Sequence, residues 1–249
     1  MLIKEVFMFT KHSQKLMLIL FLMLSTIIIA GQNAKKPGSK LSPKEQTIAK
    51  IRGAFNCGFE VNDRGIPTLL EGNLFYSEAK ADPAETAYRF FEKHKEIFSL
   101  INPRQELKAI DISVDENSYK HIHFEQIEKG LKVGVVGYRV HINPAGILYS
   151  LHGQIDPEAR TVDTNPGISE QQAMEIALND TLVTKADRQD IEPKVHSATL
   201  LIGRFAEKLR LVWAISVSRG IGYSWGFWID AQTGAILESG SSIISEKPQ

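Results

Sequence analysis

The sequence predicts an α+β protein of two subdomains, each a helix packed on an antiparallel sheet of about four strands. Three observations carry this prediction. Apolar spacing switches from a helical period to a period of two, and does so twice along the chain. The period-two runs are joined by turns too short for a crossover, so consecutive strands are antiparallel. No helical pattern falls between those strands, which excludes a doubly wound parallel sheet.

The first element is an apolar run from Leu16 to Ala30, preceded by Lys4, Lys11 and Lys15 and followed by Ala30, Gly31 and Ala34. A bilayer-spanning helix needs about 20 apolar residues and a signal-peptide core roughly 7–15. The run is at the upper end of the second range, so residues 1–31 read as a secretory signal peptide, with an uncleaved anchor as the alternative. No cysteine follows it, so there is no lipobox. Residues 32–54 read as a flexible leader and a short helix, because Ser42-Pro43-Lys44-Glu45 has the form of a capping box with proline at the first helical position.

Glycines and Pro67 break residues 53–75 into short irregular strands. Asp82-Pro83-Ala84-Glu85 opens a second helix, and Ala87, Phe90, Phe91, His94, Ile97 and Phe98 give it an aromatic face reaching about Phe98. Four strands follow at 107–114, 119–127, 131–142 and 146–153, turned by Glu128-Lys129-Gly130 and Asn143-Pro144-Ala145-Gly146. Residues 156–167 hold two prolines and few apolar residues, and read as a linker. Ser169-Glu170-Gln171-Gln172 opens a third helix to about Leu178. Strands are expected at 197–203, 209–218, 225–230 and 235–239. The subdomains are therefore expected at 55–155 and 168–240, with a tail at 241–249.

Composition narrows the chemistry. Of 249 residues 43% are apolar, which excludes wholesale disorder, and 29 basic residues balance 29 acidic ones, which excludes a dedicated nucleic-acid binder. A single cysteine, Cys57, excludes an internal disulfide framework and a zinc site built from several thiolates. Gly222-Tyr223-Ser224-Trp225-Gly226 has the form Gly-x-Ser-x-Gly, but a nucleophile elbow needs a helix after it and a later histidine. Strand-like Phe227-Trp228-Ile229 follows instead, and no histidine lies beyond His196. His121, His123 and His141 fall near one another on expected strands, yet no His-Glu-x-x-His helix exists. Strand histidines and a thiol packed as a small apolar group are the simpler readings of these residues and of Cys57. No catalytic, cofactor or metal residue is assigned.

The order of these motifs resembles a known pair of domains. Pro83-Ala84-Glu85-Thr86-Ala87-x-x-Phe90-Phe91, Phe98-Ser99-Leu100, His123-Phe124-Glu125-Gln126, Gly130-Leu131-x-Val133 and Val140-His141-Ile142-Asn143-x-x-Gly146 resemble the fungalysin/thermolysin propeptide (FTP) domain. Ile168-Ser169 through Ala177, with Trp228-Ile229-Asp230-Ala231-x-Thr233-Gly234-x-Ile236-Leu237, is similar to a PepSY domain. Family proteins carry this pair ahead of a zinc metalloprotease domain, as a propeptide that helps the protease fold and holds it inactive. The resemblance implies Phe124, Gln126, Gly130, Val133, Asp230 and Gly234 as positions for fold or partner contact. At Ile127-Glu128 the sequence departs from the family, which tends to place an aromatic before the glycine.

Only about a dozen residues, 238–249, follow the PepSY-like turn, so no catalytic domain is expected within the chain. The resemblance then implies a secreted, extracellular or periplasmic, non-enzymatic module without cofactor. Its partner is a secreted thermolysin-like metalloprotease, which it inhibits, chaperones or both. No nucleic acid is expected, and membrane contact only through an uncleaved signal sequence. Two alternatives stay open: the pro-region of a truncated protease precursor, and a cell-surface interaction module unrelated to proteases.

Overall fold

The computed structural model describes residues 40–186, 190–220 and 222–241. The expected signal peptide, most of the leader and the tail beyond residue 241 lie outside the described residues. Among the described residues no helix is long and apolar enough to cross a membrane.

Five helices accompany one large sheet: α1 (Pro43–Ala54), α2 (Pro83–His94), α3 (Pro103–Glu106), α4 (Glu170–Leu178) and α5 (Thr181–Thr184). The strands are β1 (Gly58–Val61), β2 (Pro67–Tyr76), β3 (Leu107–Val114), β4 (Lys120–Glu128), β5 (Leu131–Ile142), β6 (Ile147–Gln154), β7 (Lys194–Phe205), β8 (Lys208–Ser218), β9 (Ser224–Asp230) and β10 (Ile236–Ser241). Two separate sheets of about four strands are not what forms. All ten strands are hydrogen-bonded into one sheet, in the order β1-β2-β6-β5-β7-β8-β9-β10, with β4 on β5 and β3 on β4. The reason lies in two places. The β1–β2 hairpin adds itself to the edge of β6. Strand β5 spans 12 residues, so its outer half serves β4 and β6 while its inner half meets β7 in a parallel pair, Val133 with Ile202.

Two hydrophobic clusters build two lobes on this sheet. In the first, helix α2 presses its aromatic face on β4 and β5. Asp82 caps the helix by accepting from the Glu85 amide at 2.7 Å. The Phe91 ring packs 5.2 Å from Phe98, 5.7 Å from Phe124 and 5.6 Å from Tyr138 (centroid distances), all four fully buried. Each such side chain contributes roughly 1.5–3 kcal/mol of transfer free energy, which outweighs any local propensity here. The helix stops at His94, earlier than the apolar period predicts, because the chain reverses through Ser99 at φ 55° while Phe98 still reaches the core.

In the second lobe α4 lies on β7 and β8, with Ala173 and Ala177 against Trp213, Ile215 and Phe227. Its capping box is complete: Ser169 Oγ accepts from the Gln172 amide at 3.2 Å and Gln172 Oε1 accepts from the Ser169 amide at 2.8 Å. The opposite face of β7–β9 carries Ser197, Thr199, Ala214, Ser216 and Gly226, all exposed or half-buried. No helix of the described residues covers that face.

Candidate functional site

The lobes meet where β5 leaves its partner. Strands β4 and β5 pair at Ile127–Lys132 beside the hairpin and again at Glu125–Gly137, so residues 133–136 lie opposite Gln126 alone. This wide bulge turns Val133 into the second core, 2% exposed, and pushes Val135 out to 99% exposure. The bulge ends at Gly137 for a steric reason. A Cβ there would sit 1.9 Å from the Phe124 carbonyl oxygen, so β4 and β5 re-pair only because residue 137 has no side chain.

Gln126 fills the space that the bulge leaves. Its Oε1 accepts from the Asp156 amide at 2.7 Å and its Nε2 donates to the Asp156 carbonyl at 2.9 Å, both buried. Asp156 is thereby held where β6 gives way to a 3-10 helix, Pro157–Thr161. Its Oδ2 accepts from Arg64 Nη1 at 3.1 Å and from Arg204 Nε and Nη2 at 3.0 and 2.7 Å. Arg204 also donates to Glu158 at 2.7 Å. One turn on, Arg160 donates to Glu106 at 2.7 Å, so the segment after β6 is tied to both lobes. Asp156 Oδ1 is buried and has no hydrogen-bond partner.

Beside this carboxylate a groove of about 370 Å³ opens between residues 133–136 and β7–β9. Val135, Val136, Phe205, Leu209 and Trp228 line it with Asp156, and Glu238 stands at its end. Phe205 and Trp228 meet at 5.6 Å between ring centroids. Two neighbouring depressions share Val135. One, about 340 Å³, runs over the small residues of the open β7–β9 face. The other, about 360 Å³, is lined by His123, Glu125, Lys132, Arg139 and His152, with Lys132 ion-paired to Glu125. An apolar wall with a few placed polar groups is the usual make-up of a binding groove.

The histidines gather on the outer face of β4–β6. His121 and His141 approach through their Nδ1 atoms at 2.7 Å, and His141 stacks on His152 at 5.1 Å between centroids. His121 Nε2 lies 3.2 Å from Asp115 Oδ2. Burial, then the neighbouring His121, His152 and Arg139, pushes the His141 pKa down to about 4. Among the described residues no group of three or more histidine, cysteine, aspartate or glutamate side chains is placed to hold a metal ion.

The six residues singled out from the resemblance go to different places. Phe124 is core, edge-on to Tyr88 and Phe91. Gln126 and Val133 meet the groove, the first through Asp156 and the second as a lining residue. Gly130 makes the β4–β5 turn at φ 84°, after Lys129 at φ 49°, a pair that favours glycine at the second position. Asp230 Oδ1 accepts from the Gln232 and Thr233 amides at 3.0 Å each, and Oδ2 from Arg210 at 2.9 Å. Burial opposes its charge, yet these bonds hold its pKa below the usual range. Gly234 closes that turn against Ile176 of α4. Ser224 begins β9, so strand and not helix follows it and no elbow is built. Cys57 packs half-buried on the first core, and burial raises its pKa. Sequence reading missed Asp156, Arg64 and Arg204. They carry no motif, and the Arg64–Asp156 contact joins positions 92 residues apart.

Comparison with known proteins places the second lobe. Residues 167–239 match the PepSY family, described as "Peptidase propeptide and YPEB domain". The chain is 20% identical over 195 residues to bacillolysin of Bacillus subtilis (strain 168), and to bacillolysin of Bacillus subtilis subsp. amylosacchariticus to the same extent. That stretch covers 75% of this chain and 36% of each bacillolysin, so the chain spans about a third of the length of these curated relatives. Among solved structures, the Bacillus megaterium YpeB C-terminal domain is similar at 12% identity, covering 82% of this chain and 97% of that chain, with a TM-score of 0.33.

Proposed function

We propose that this is an exported, non-catalytic, propeptide-like protein that binds a thermolysin-like metalloprotease and inhibits it, assists its folding, or both. The observation that carries the reading is the match of residues 167–239 to a peptidase-propeptide family, on the lobe that supplies most of the open groove. Similarity to bacillolysin across 75% of the chain supports reading residues 55–155 as the FTP-like partner of that lobe. The surface fits such a role physically. Val135, wholly exposed, stands between three depressions and beside a sheet face of small side chains. An apolar side chain on a preformed strand face is the kind of anchor a partner protein buries. The same surface serves a protease on a separate chain or one joined to this region in a precursor. Export follows from the signal-like run at 16–30.

The test is direct. The full chain is titrated into a thermolysin-like protease while peptidase activity and refolding yield are followed. Saturable inhibition or a rise in refolding yield is expected. No binding and no change in either quantity overturns the proposal.

A further inference from the structure

We infer that the groove beside Asp156 is a peptide subsite that takes an extended, uncharged segment, with one backbone N–H donated to Asp156 Oδ1 and one apolar side chain laid on Phe205, Leu209 and Trp228. This deepens the protease-binding reading by naming what docks, and rests on it only for the identity of the partner.

The polar half of the inference starts from an orphan. Asp156 Oδ2 accepts three N–H bonds from two arginines, while Oδ1 is buried and accepts none. The carboxylate cannot swing to correct this. Gln126 grips its backbone at both the amide and the carbonyl, and the arginines fix the other oxygen. A buried acceptor held in this way is costly until a donor reaches it. Asp156 lines the groove, so the donor comes from there.

The charge of the occupant follows from what already surrounds Asp156. Arg64 and Arg204 face it, and Glu158 shares Arg204, so two positive charges meet two negative ones. The set is balanced, and a lysine or arginine of the partner gains nothing there. An acidic segment meets Glu238 at the end of the groove. The complement is a neutral N–H, which a peptide backbone supplies at regular spacing.

The apolar half follows from shape. Strands β5 and β7 touch only at Val133–Ile202 and diverge beyond it, which leaves a slot flanked by strands. Its walls are Val136, Phe205, Leu209 and Trp228, all half-buried, with Val135 standing free at the rim. An extended chain presents one side chain to such a wall while its neighbours point away.

Nuclear magnetic resonance on the 15N-labelled full chain tests this with blocked tripeptides. Ac-Gly-Leu-Gly-NH2 is the probe. Analogues replace leucine by lysine, by glutamate, or by N-methyl-leucine, which lacks the N–H. The leucine peptide is expected to shift the Val135 and Phe205 amides and the Trp228 indole N–H saturably. N-methylation is expected to weaken binding about tenfold or more. Phe205→Ala is expected to do the same while the rest of the spectrum keeps its dispersion. Four outcomes overturn the inference: no saturable shift, equal binding of the N-methyl peptide, shifts confined to the depression of His123 and His152, or a water molecule as the sole and unexchanged partner of Oδ1. Protease inhibition is measured in parallel. Inhibition without peptide shifts overturns the subsite and leaves the protease reading. Peptide shifts without inhibition or folding assistance support the subsite and overturn the partner.

Discussion

Gln126 holds Asp156 at both backbone atoms, 2.7 Å from its amide nitrogen and 2.9 Å from its carbonyl oxygen, and so locks the end of β6 against the bulge of β5. A residue that resembled a family position by sequence is, in the structure, the peg between two lobes. Gln126→Ala leaves a buried amide and a buried carbonyl of Asp156 without partners. Each such group costs about 1–3 kcal/mol, so a loss of about 2–4 kcal/mol is expected. Urea denaturation reads it as a lower midpoint with an unchanged slope. A loss below about 0.5 kcal/mol, the size of an ordinary surface change, contradicts the peg role.

Gly137→Ala puts a Cβ 1.9 Å from the Phe124 carbonyl, a backbone atom that cannot turn aside. The strands must part where the bulge closes. Destabilisation of about 1–3 kcal/mol is expected, the range of overpacked sites, with faster hydrogen exchange at the amides that pair β4 with β5. A neutral substitution shows that the bulge has slack the structure does not display.

His141 makes stability depend on pH. Its pKa is about 4 when folded against an ordinary 6.5, because burial and the nearby His121, His152 and Arg139 disfavour its charge. Below 6.5 the unfolded chain takes up a proton that the folded chain does not. Stability is therefore lost as pH falls from about 6.5 to about 4, and this contribution stops changing below the folded value. The carboxylates that face the cluster, Asp115 above all, favour charge on His121 and not on His141. His141→Asn is expected to flatten the denaturation midpoint between pH 7 and pH 5 relative to the unsubstituted chain. Parallel curves for the two proteins contradict it.

Much of the fold was legible because it is local. The helix at 170–178 announces itself through Ser169 and Gln172, whose reciprocal bonds need only four consecutive residues. Strands 107–114 and 131–142 follow from alternation, since one face of each is buried. The joining of the two halves into one sheet was not legible. It depends on residues 133–136 slipping out of register opposite Gln126, and nothing in Val133-Gly134-Val135-Val136 alone distinguishes a bulge from a plain strand. The groove was hidden for the same reason. Asp156 sits in a polar, proline-bearing stretch that reads as linker, and its partners Arg64 and Arg204 are far away in sequence. Trp228 was visible as one of a cluster of aromatics, but only the pairing of β8 with β9 shows that it faces away from α4 while Trp225 faces toward it.

The central claim is that the face around Val135 binds a protease, and one substitution addresses it without disturbing the fold. Val135 is 99% exposed, so Val135→Asp is expected to change stability by less than about 0.5 kcal/mol. Titration calorimetry of a thermolysin-like metalloprotease with both proteins is the measurement. The account predicts saturable binding by the unsubstituted chain, and binding about tenfold weaker or worse for Val135→Asp, as for a charge forced into a desolvated contact. Equal affinity of the two proteins, or no binding by either, contradicts it.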